Sequence, residues 1–243
     1  MKIENSLRAE NLKSEIENRS SRLLVFAKYP RPGEVKTRLV PPLTHDEAAV
    51  LYHAFLLDAL DLYTALRPAV EPVLYLAAAD DIEPAREMLE REGIIDIDIR
   101  AQRGASLGER LEHAFDDAFS DGCPLACAIG TDHPTLPLNY VLQALGMTAE
   151  HDLAIGPADD GGYYLLALRE PRHELLRDMP YSTPALFRAT LDTAAERGLH
   201  ALVLPEWYDV DDARSLQRLS EDGALLPADS RTRRAIMDIH ISS

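Results

Sequence analysis

The sequence predicts an α/β fold with a mostly parallel central sheet flanked by helices. Three observations carry this. From residue 22 onward, short apolar runs alternate with longer segments of helical periodicity. Several of those runs, "PLACAIG" most clearly, are apolar without alternation, as in strands covered on both faces. The helical segments between them carry start and stop signals, so strand and helix follow one another regularly.

In order, "RLLVFAKY" is the first strand. Ala48, Leu51, Tyr52, Phe55, Leu56, Ala59, Leu60 and Tyr63 then recur at helical spacing. "EPVLYLAA" is a second strand, and "DIEPAREMLEREG" is a helix closed by Gly93. "IIDIDIRA" alternates with period two and reads as a strand throughout. "SLGERLEHAFDDAFSDG" is a helix in which Ser106 and Glu109 form a capping-box pattern. After "PLACAIG", "TLPLNYVLQAL" is a helix with Thr135 as cap and Pro137 in its first turn. "HDLAIGPA" and "GYYLLAL" are strands. "STPALFRATLDTAAERG" is a helix capped by Ser182 or Thr183, with Pro184 at its first position and Gly198 at its end. "HALVLPE" is the last strand, followed by two helical segments.

The 243 residues contain no internal repeat, no low-complexity linker and no break in composition after residue 22. The expected organisation is a polar arm over residues 1–20 outside the core and one domain over 21–243. With 46% hydrophobic and 27% charged residues the composition is globular. The formal net charge of −16 argues against a nucleic-acid partner, which needs a broad cationic face. No apolar run reaches the ~18 residues of a membrane span, and the first twenty residues lack a signal-peptide core. Cys123 and Cys127 are the only cysteines. Four residues apart on a strand is ~13 Å, too far for a disulfide, and both read as small core residues. Scarce cysteine fits a reducing, cytoplasmic setting.

Open α/β sheets bind ligands beyond the carboxyl ends of their strands, so the post-strand loops matter most. After the first strand comes "KYPRPGEVKTRL". Of only four lysines in this acidic chain, Lys28 and Lys36 are both here, with Arg38. Pro30, Pro32 and Gly33 stiffen a loop whose backbone can approach an anion, and the cations suit phosphate. The spacing is not that of a P-loop. After the fourth strand, "IGTDHPTL" sets Asp132 where a carboxylate can hold Mg²⁺ or Mn²⁺ shared with substrate phosphates. "GPADDGGYYLLAL" joins Asp160 to Gly161 and Gly162, either a tight turn or a place where a ligand lies against backbone. "YDVDDARSL" sets Asp209 and Asp211 two apart, on one side of an extended segment, while Asp211 or Asp212 also suits a helix cap.

"FAKYPRPGEVKTRL", "GASLGERLEHAF", "IGTDHPTL", "GPADDGGYYLLAL", "PYSTPALFRAT" and "YDVDDARSL" occur in an order that resembles a bacterial glycosyltransferase-A-like family. That family lies within the nucleotide-diphospho-sugar transferase superfamily. The resemblance runs from about Arg22 to about Leu219. More distantly the chain is similar to guanylyltransferases that activate phospholactate or phosphoenolpyruvate, and to molybdopterin nucleotidyltransferases. The resemblance implies a Rossmann-like domain that binds a nucleotide or nucleotide-sugar donor and a small-molecule acceptor. It implies metal positions at Asp132, Asp209 and Asp211 for Mg²⁺ or Mn²⁺. It implies donor contacts from Lys28, Gly33, Lys36, Arg38 and Gly108, with Gly104 and Arg110 nearby. Gly161, Gly162, Ser182 and Thr183 would face the acceptor, with Asp132 and Asp160 as catalytic carboxylates. Two departures stand out: Tyr181 where the family often has Trp, and Asp212-Ala213 where it often has Thr-Pro.

Three functions follow as expectations. One is metal-dependent transfer from a nucleotide-diphospho-sugar. The second is nucleotidyl transfer with release of pyrophosphate, favoured by a single Asp132 after the central strand. The third is nucleotide binding without turnover.

Overall fold

The computed structural model describes residues 21–239; the expected polar arm lies outside them. Seven strands form one sheet in the order β3-β2-β1-β4-β6-β5-β7. They are β1 (Ser21–Ala27), β2 (Val70–Leu76), β3 (Asp98–Ala101), β4 (Ala126–Ile129), β5 (Leu153–Pro157), β6 (Tyr163–Leu168) and β7 (Ala201–Val203). All neighbours pair in parallel except those of β6, which runs antiparallel to β4 and β5. The chain lays β2 and β3 on one side of β1, then returns to place β4 on the other. That reversal opens a crevice beyond the carboxyl ends of β1 and β4.

The described residues hold seven α-helices: α1 (His45–Thr64), α2 (Ile82–Arg91), α3 (Leu107–Ser120), α4 (Leu138–Leu145) and α5 (Leu186–Glu196) against the sheet, and α6 (Ala213–Glu221) and α7 (Arg231–Asp238) in the C-terminal segment. Strand alternation divides the core. Leu23, Val25, Cys127 and Ile129 meet α1, α2 and α4 on one face. Leu24, Ala126, Ala128 and Leu166 meet Leu111 and Phe115 of α3 and Ala194 of α5 on the other. α1 buries Ala54, Phe55, Leu56 and Leu57 in succession. Four successive buried positions point around more than one face, so the helix is packed on two sides. Its second side is the C-terminal segment, where Tyr208, Val210, Leu216, Leu219, Leu226 and Ala235 close over it. This wrap returns Asp209–Asp211 to the crevice. A capping box between Thr44 and Glu47 fixes the start of α1.

Four local expectations are corrected. The run from Ile94 does not pair as a strand until Asp98, because Asp96 adopts φ 60° and turns the chain. Ser106 accepts the Glu109 N–H, but the Glu109 carboxylate takes the N–H of Ala105, so the box is half formed. Thr135 does not cap α4, which starts after Pro137; its hydroxyl donates to Tyr208 and accepts from Trp207 Nε1. Thr183 forms a turn ahead of α5, accepting the Ala185 N–H and donating to the carbonyl of Pro180. Among the described residues no helix is long and apolar enough to cross a membrane.

Candidate functional site

A cleft of about 450 Å³ lies at the crevice between the ends of β1 and β4. Each wall comes from a strand exit or the helix after it. Lys28, Lys36 and Arg38 follow β1, and Ala77 follows β2. Gln102 follows β3, with Leu107 and Arg110 from the first turn of α3. Asp132 follows β4, and Asp211 arrives on the C-terminal wrap.

Lys36 sits at the centre. Its backbone is left-handed, φ 48° and ψ 37°, a conformation L residues seldom adopt. Its side chain is only 5% exposed, and Nζ lies 2.5 Å from Asp132 Oδ1 and 2.8 Å from Asp211 Oδ1. The ammonium also stands 5.8 Å from the Tyr52 ring centroid and 5.9 Å from that of Phe55. Burial works against its charge, but Asp132 and Asp211 more than offset that, and its pKa is raised. Arg38, mostly exposed, pairs with the other oxygen of Asp211. Tyr52 OH accepts the Lys28 N–H at 3.0 Å and the Thr131 hydroxyl at 3.2 Å, tying α1 to both strand exits. Burial, with the charge of Asp132, pushes its own pKa up to about 12. The peptide N–H of Val210 donates to the carbonyl of Asp132 at 2.7 Å, joining the two acidic segments.

Asp209 does not share this point. Its Oδ1 lies 3.5 Å from Nδ1 of the buried His133. Burial raises its pKa, but His133, Lys36 and Arg38 together hold it below the usual carboxylate value. Among the described residues, the one group of three His, Cys, Asp or Glu side chains close enough to share an ion lies elsewhere, at Glu112, Asp116 and His173. There Arg177 already pairs with Glu112, and His173 Nε2 is 2.8 Å from Asp116. The chain alternates through Thr131-Asp132-His133. Asp132 faces the cleft, while Thr131 and His133 line a second, mainly apolar cavity of about 380 Å³ against α1 and α4.

The glycines and the acceptor-side residues are placed as follows. Gly161 has φ +87°, and a Cβ there would lie 2.3 Å from the carbonyl oxygen of Pro184; its own carbonyl accepts the Phe187 N–H. It docks the β5–β6 turn onto the start of α5. The Gly162 N–H donates to Asp160 Oδ1 at 2.8 Å, so one oxygen of Asp160 is engaged in its own turn. Neighbouring Asp159 is raised by burial and by Asp209 and Asp160, against the opposing pull of Arg218. Ser182, at φ 60°, and Thr183 are exposed on the loop beside that turn. Gly108 is buried, with no room for a Cβ beneath the Leu176 carbonyl and the Tyr181 ring, whereas Arg110 reaches the cleft. Gly33, at φ +80°, shapes the basic loop without lining the cleft.

Sequence reasoning missed Gln102 and the anchoring role of Tyr52. Gln102 donates to the carbonyls of Ala27 and Tyr75, binding β3's exit to the β1 and β2 backbones. Nothing in the local pattern singles out either residue.

Residues 62–183 match the model of a family described as "Uncharacterized protein conserved in bacteria (DUF2064)". A crystal structure from Desulfovibrio desulfuricans G20, assigned as a nucleotide-diphospho-sugar transferase, is 32% identical with a TM-score of 0.82. The match covers 90% of this chain and 94% of that one. Glucosyl-3-phosphoglycerate synthase from Mycobacterium tuberculosis, in complex with Mn²⁺, UDP and glucosyl-3-phosphoglycerate, is 15% identical with a TM-score of 0.51 over 97% and 85%. A cytidylyltransferase from Leptospira borgpetersenii is 10% identical with a TM-score of 0.53 over 93% and 98%. No curated protein matches. The two low-identity matches share the fold.

Proposed function

The chain belongs to the bacterial family whose model it matches and has a glycosyltransferase-A-like fold, and from that premise we propose that it is a transferase acting on a nucleotide-activated donor. The observation that carries the reading is the convergence of Asp132 Oδ1 and Asp211 Oδ1 on one cation position, at a cleft that Lys28, Arg38 and Arg110 also line. Mg²⁺ characteristically takes one or two carboxylates, with substrate phosphates and water completing its shell. Two carboxylate oxygens aimed at one point fit that demand, so Asp132 and Asp211 are the residues that would hold the ion. Asp209, turned to His133, supports the segment instead. The ion would neutralise charge on the leaving phosphate. Lys28, Arg38 and Arg110 bind the donor's phosphates, and Tyr52 keeps the exits of β1 and β4 in register.

On the acceptor side, the second carboxylate oxygen of Asp160 is the one available to an incoming hydroxyl. Ser182 and Thr183 stand on the loop whose Pro184 packs on Gly161, and Gly161 and Gly162 shape the turn that carries Asp160. Glycosyl transfer from a nucleotide-diphospho-sugar is the first reading, supported by the 32%-identical structure. Nucleotidyl transfer is the second. It is favoured because one carboxylate, Asp132, follows β4, and its cation-sharing partner arrives only after β7. Product analysis separates them. The protein is incubated with Mg²⁺ or Mn²⁺, a panel of nucleotide-sugars and nucleoside triphosphates, and phosphorylated acids and sugars as acceptors. Release of a nucleoside diphosphate supports the first reading, and release of pyrophosphate the second. Donor binding with neither product would identify a nucleotide-binding protein without turnover.

A further inference from the structure

We propose that Lys36 is a displaceable internal cation: its ammonium holds the divalent-ion position between Asp132 and Asp211 in the free protein, and yields it when metal and donor enter. The inference rests on the transferase reading and concerns how that site is loaded.

Both carboxylate oxygens that would bind the ion are within 2.8 Å of one Nζ. An ion held by the same oxygens would stand at ~2.1 Å from each. The ammonium and the ion therefore claim one location and exclude each other, by overlap and by charge repulsion. The arrangement has a physical reason. Two carboxylates facing one point at a partly covered site repel each other, and a cation between them removes that cost. Lys36 is suited to it: its backbone is left-handed, its side chain is 5% exposed, and its ammonium stands 5.8 and 5.9 Å from the Tyr52 and Phe55 ring centroids. It is also shaped to leave. Lys36 itself lines the cleft together with Lys28 and Arg38, so a rotation of its flexible stem carries the ammonium from carboxylates to phosphate. Metal and donor phosphate then bind cooperatively, since the phosphate supplies the displaced ammonium with a new partner.

The test measures Mn²⁺ binding, by the spin-resonance signal of the free ion, to wild type, Lys36→Met, Asp132→Asn and Asp211→Asn, without and with inorganic pyrophosphate as the phosphate probe. The expected result is Mn²⁺ binding to Lys36→Met about tenfold tighter or more than to wild type in the absence of pyrophosphate. Pyrophosphate should tighten binding more in wild type than in that variant. Equal or weaker binding by Lys36→Met overturns the inference. If Asp132→Asn binds like wild type, the metal position itself is wrong and the transferase reading loses its support as well. If Asp132→Asn loses binding while Lys36→Met gains none, only the displacement idea fails. A readout on the unmutated chain guards against misfolding of the variant. With only four lysines, ε-methylene-labelled protein gives few resonances, and Lys36→Arg assigns the one of interest. Mg²⁺ should shift that resonance, and saturation by Mg²⁺ without a shift overturns the inference.

Discussion

The peptide N–H of Val210 donates to the carbonyl oxygen of Asp132 across 2.7 Å, joining two segments that lie far apart in sequence. This bond fixes the C-terminal wrap against the exit of β4. Together with the packing of Tyr208 and Val210 on α1 it brings Asp211 beside Asp132, where the two carboxylates share the Lys36 ammonium as a unit.

Residues acting as a unit give non-additive losses. Asp132→Asn and Asp211→Asn should each remove most metal-dependent donor binding, about tenfold or more in affinity. The double variant should be little worse than either single one. Isothermal titration with nucleotide and Mg²⁺ checks this; full additivity would mean that the two carboxylates serve different ligands.

Gly161 separates a docking role from a ligand-facing one. Gly161→Ala combines a left-handed backbone with a Cβ 2.3 Å from the Pro184 carbonyl oxygen, whereas Gly198→Ala, at φ +69°, meets nothing within 4 Å. The first should cost about 2–4 kcal/mol and the second about 1 kcal/mol. Urea unfolding midpoints of the two variants decide the point.

How much of this was legible in sequence differs from residue to residue. The order of strands and helices was, because alternating apolar runs and helix punctuation are local signals. The place of Asp132 at a strand exit was, because it follows an apolar run that reads as a covered strand. The pairing of Lys36 with Asp132 and Asp211 was not. It depends on a left-handed backbone at a lysine and on the C-terminal segment wrapping α1, and neither leaves a local pattern. Asp209 and Asp211 were read as acting together because an extended chain points residues two apart the same way. In the structure they face different neighbours, His133 lying 3.5 Å from Asp209 and Lys36 2.8 Å from Asp211. Thr135 resembled a cap because it precedes a proline-led helix, but the distant Tyr208 claims its hydroxyl.

That hydroxyl chain carries its own expectation. Thr135 Oγ1, Tyr208 OH and Asp222 Oδ2 are linked at 3.1 and 3.0 Å, with Tyr208 almost wholly buried. Tyr208→Phe removes the acceptor of the Thr135 hydroxyl and one donor to Asp222, while Trp207 still donates to Thr135 and Arg218 still pairs with Asp222, and should cost about 1 kcal/mol. Metal affinity should stay unchanged, because the cation position lies beyond this network. Chemical denaturation and Mn²⁺ titration of the same variant test both halves.

The depressed pKa of Asp209 sets an acid limb of stability. A carboxylate held below its ordinary value of 3.8 stabilises the fold above that value. The contribution disappears as the pH falls through the folded-state pKa. Wild type should therefore lose stability on acidification below about pH 4 more steeply than Asp209→Asn, which has no proton to gain there. Thermal midpoints between pH 3 and pH 7 would show the two curves converging at the acid end.

The most direct test of the central claim is a thermal-shift panel on wild type and Asp132→Asn, with each nucleoside triphosphate, common nucleotide-sugars and their parent diphosphates, with and without Mg²⁺ or Mn²⁺. A ligand present at ~100 times its dissociation constant stabilises the folded state by about 2.7 kcal/mol. The account predicts stabilisation of wild type by at least one of these nucleotides, dependent on the metal and lost in Asp132→Asn. Absence of any shift, or a shift indifferent both to metal and to Asp132→Asn, would contradict it.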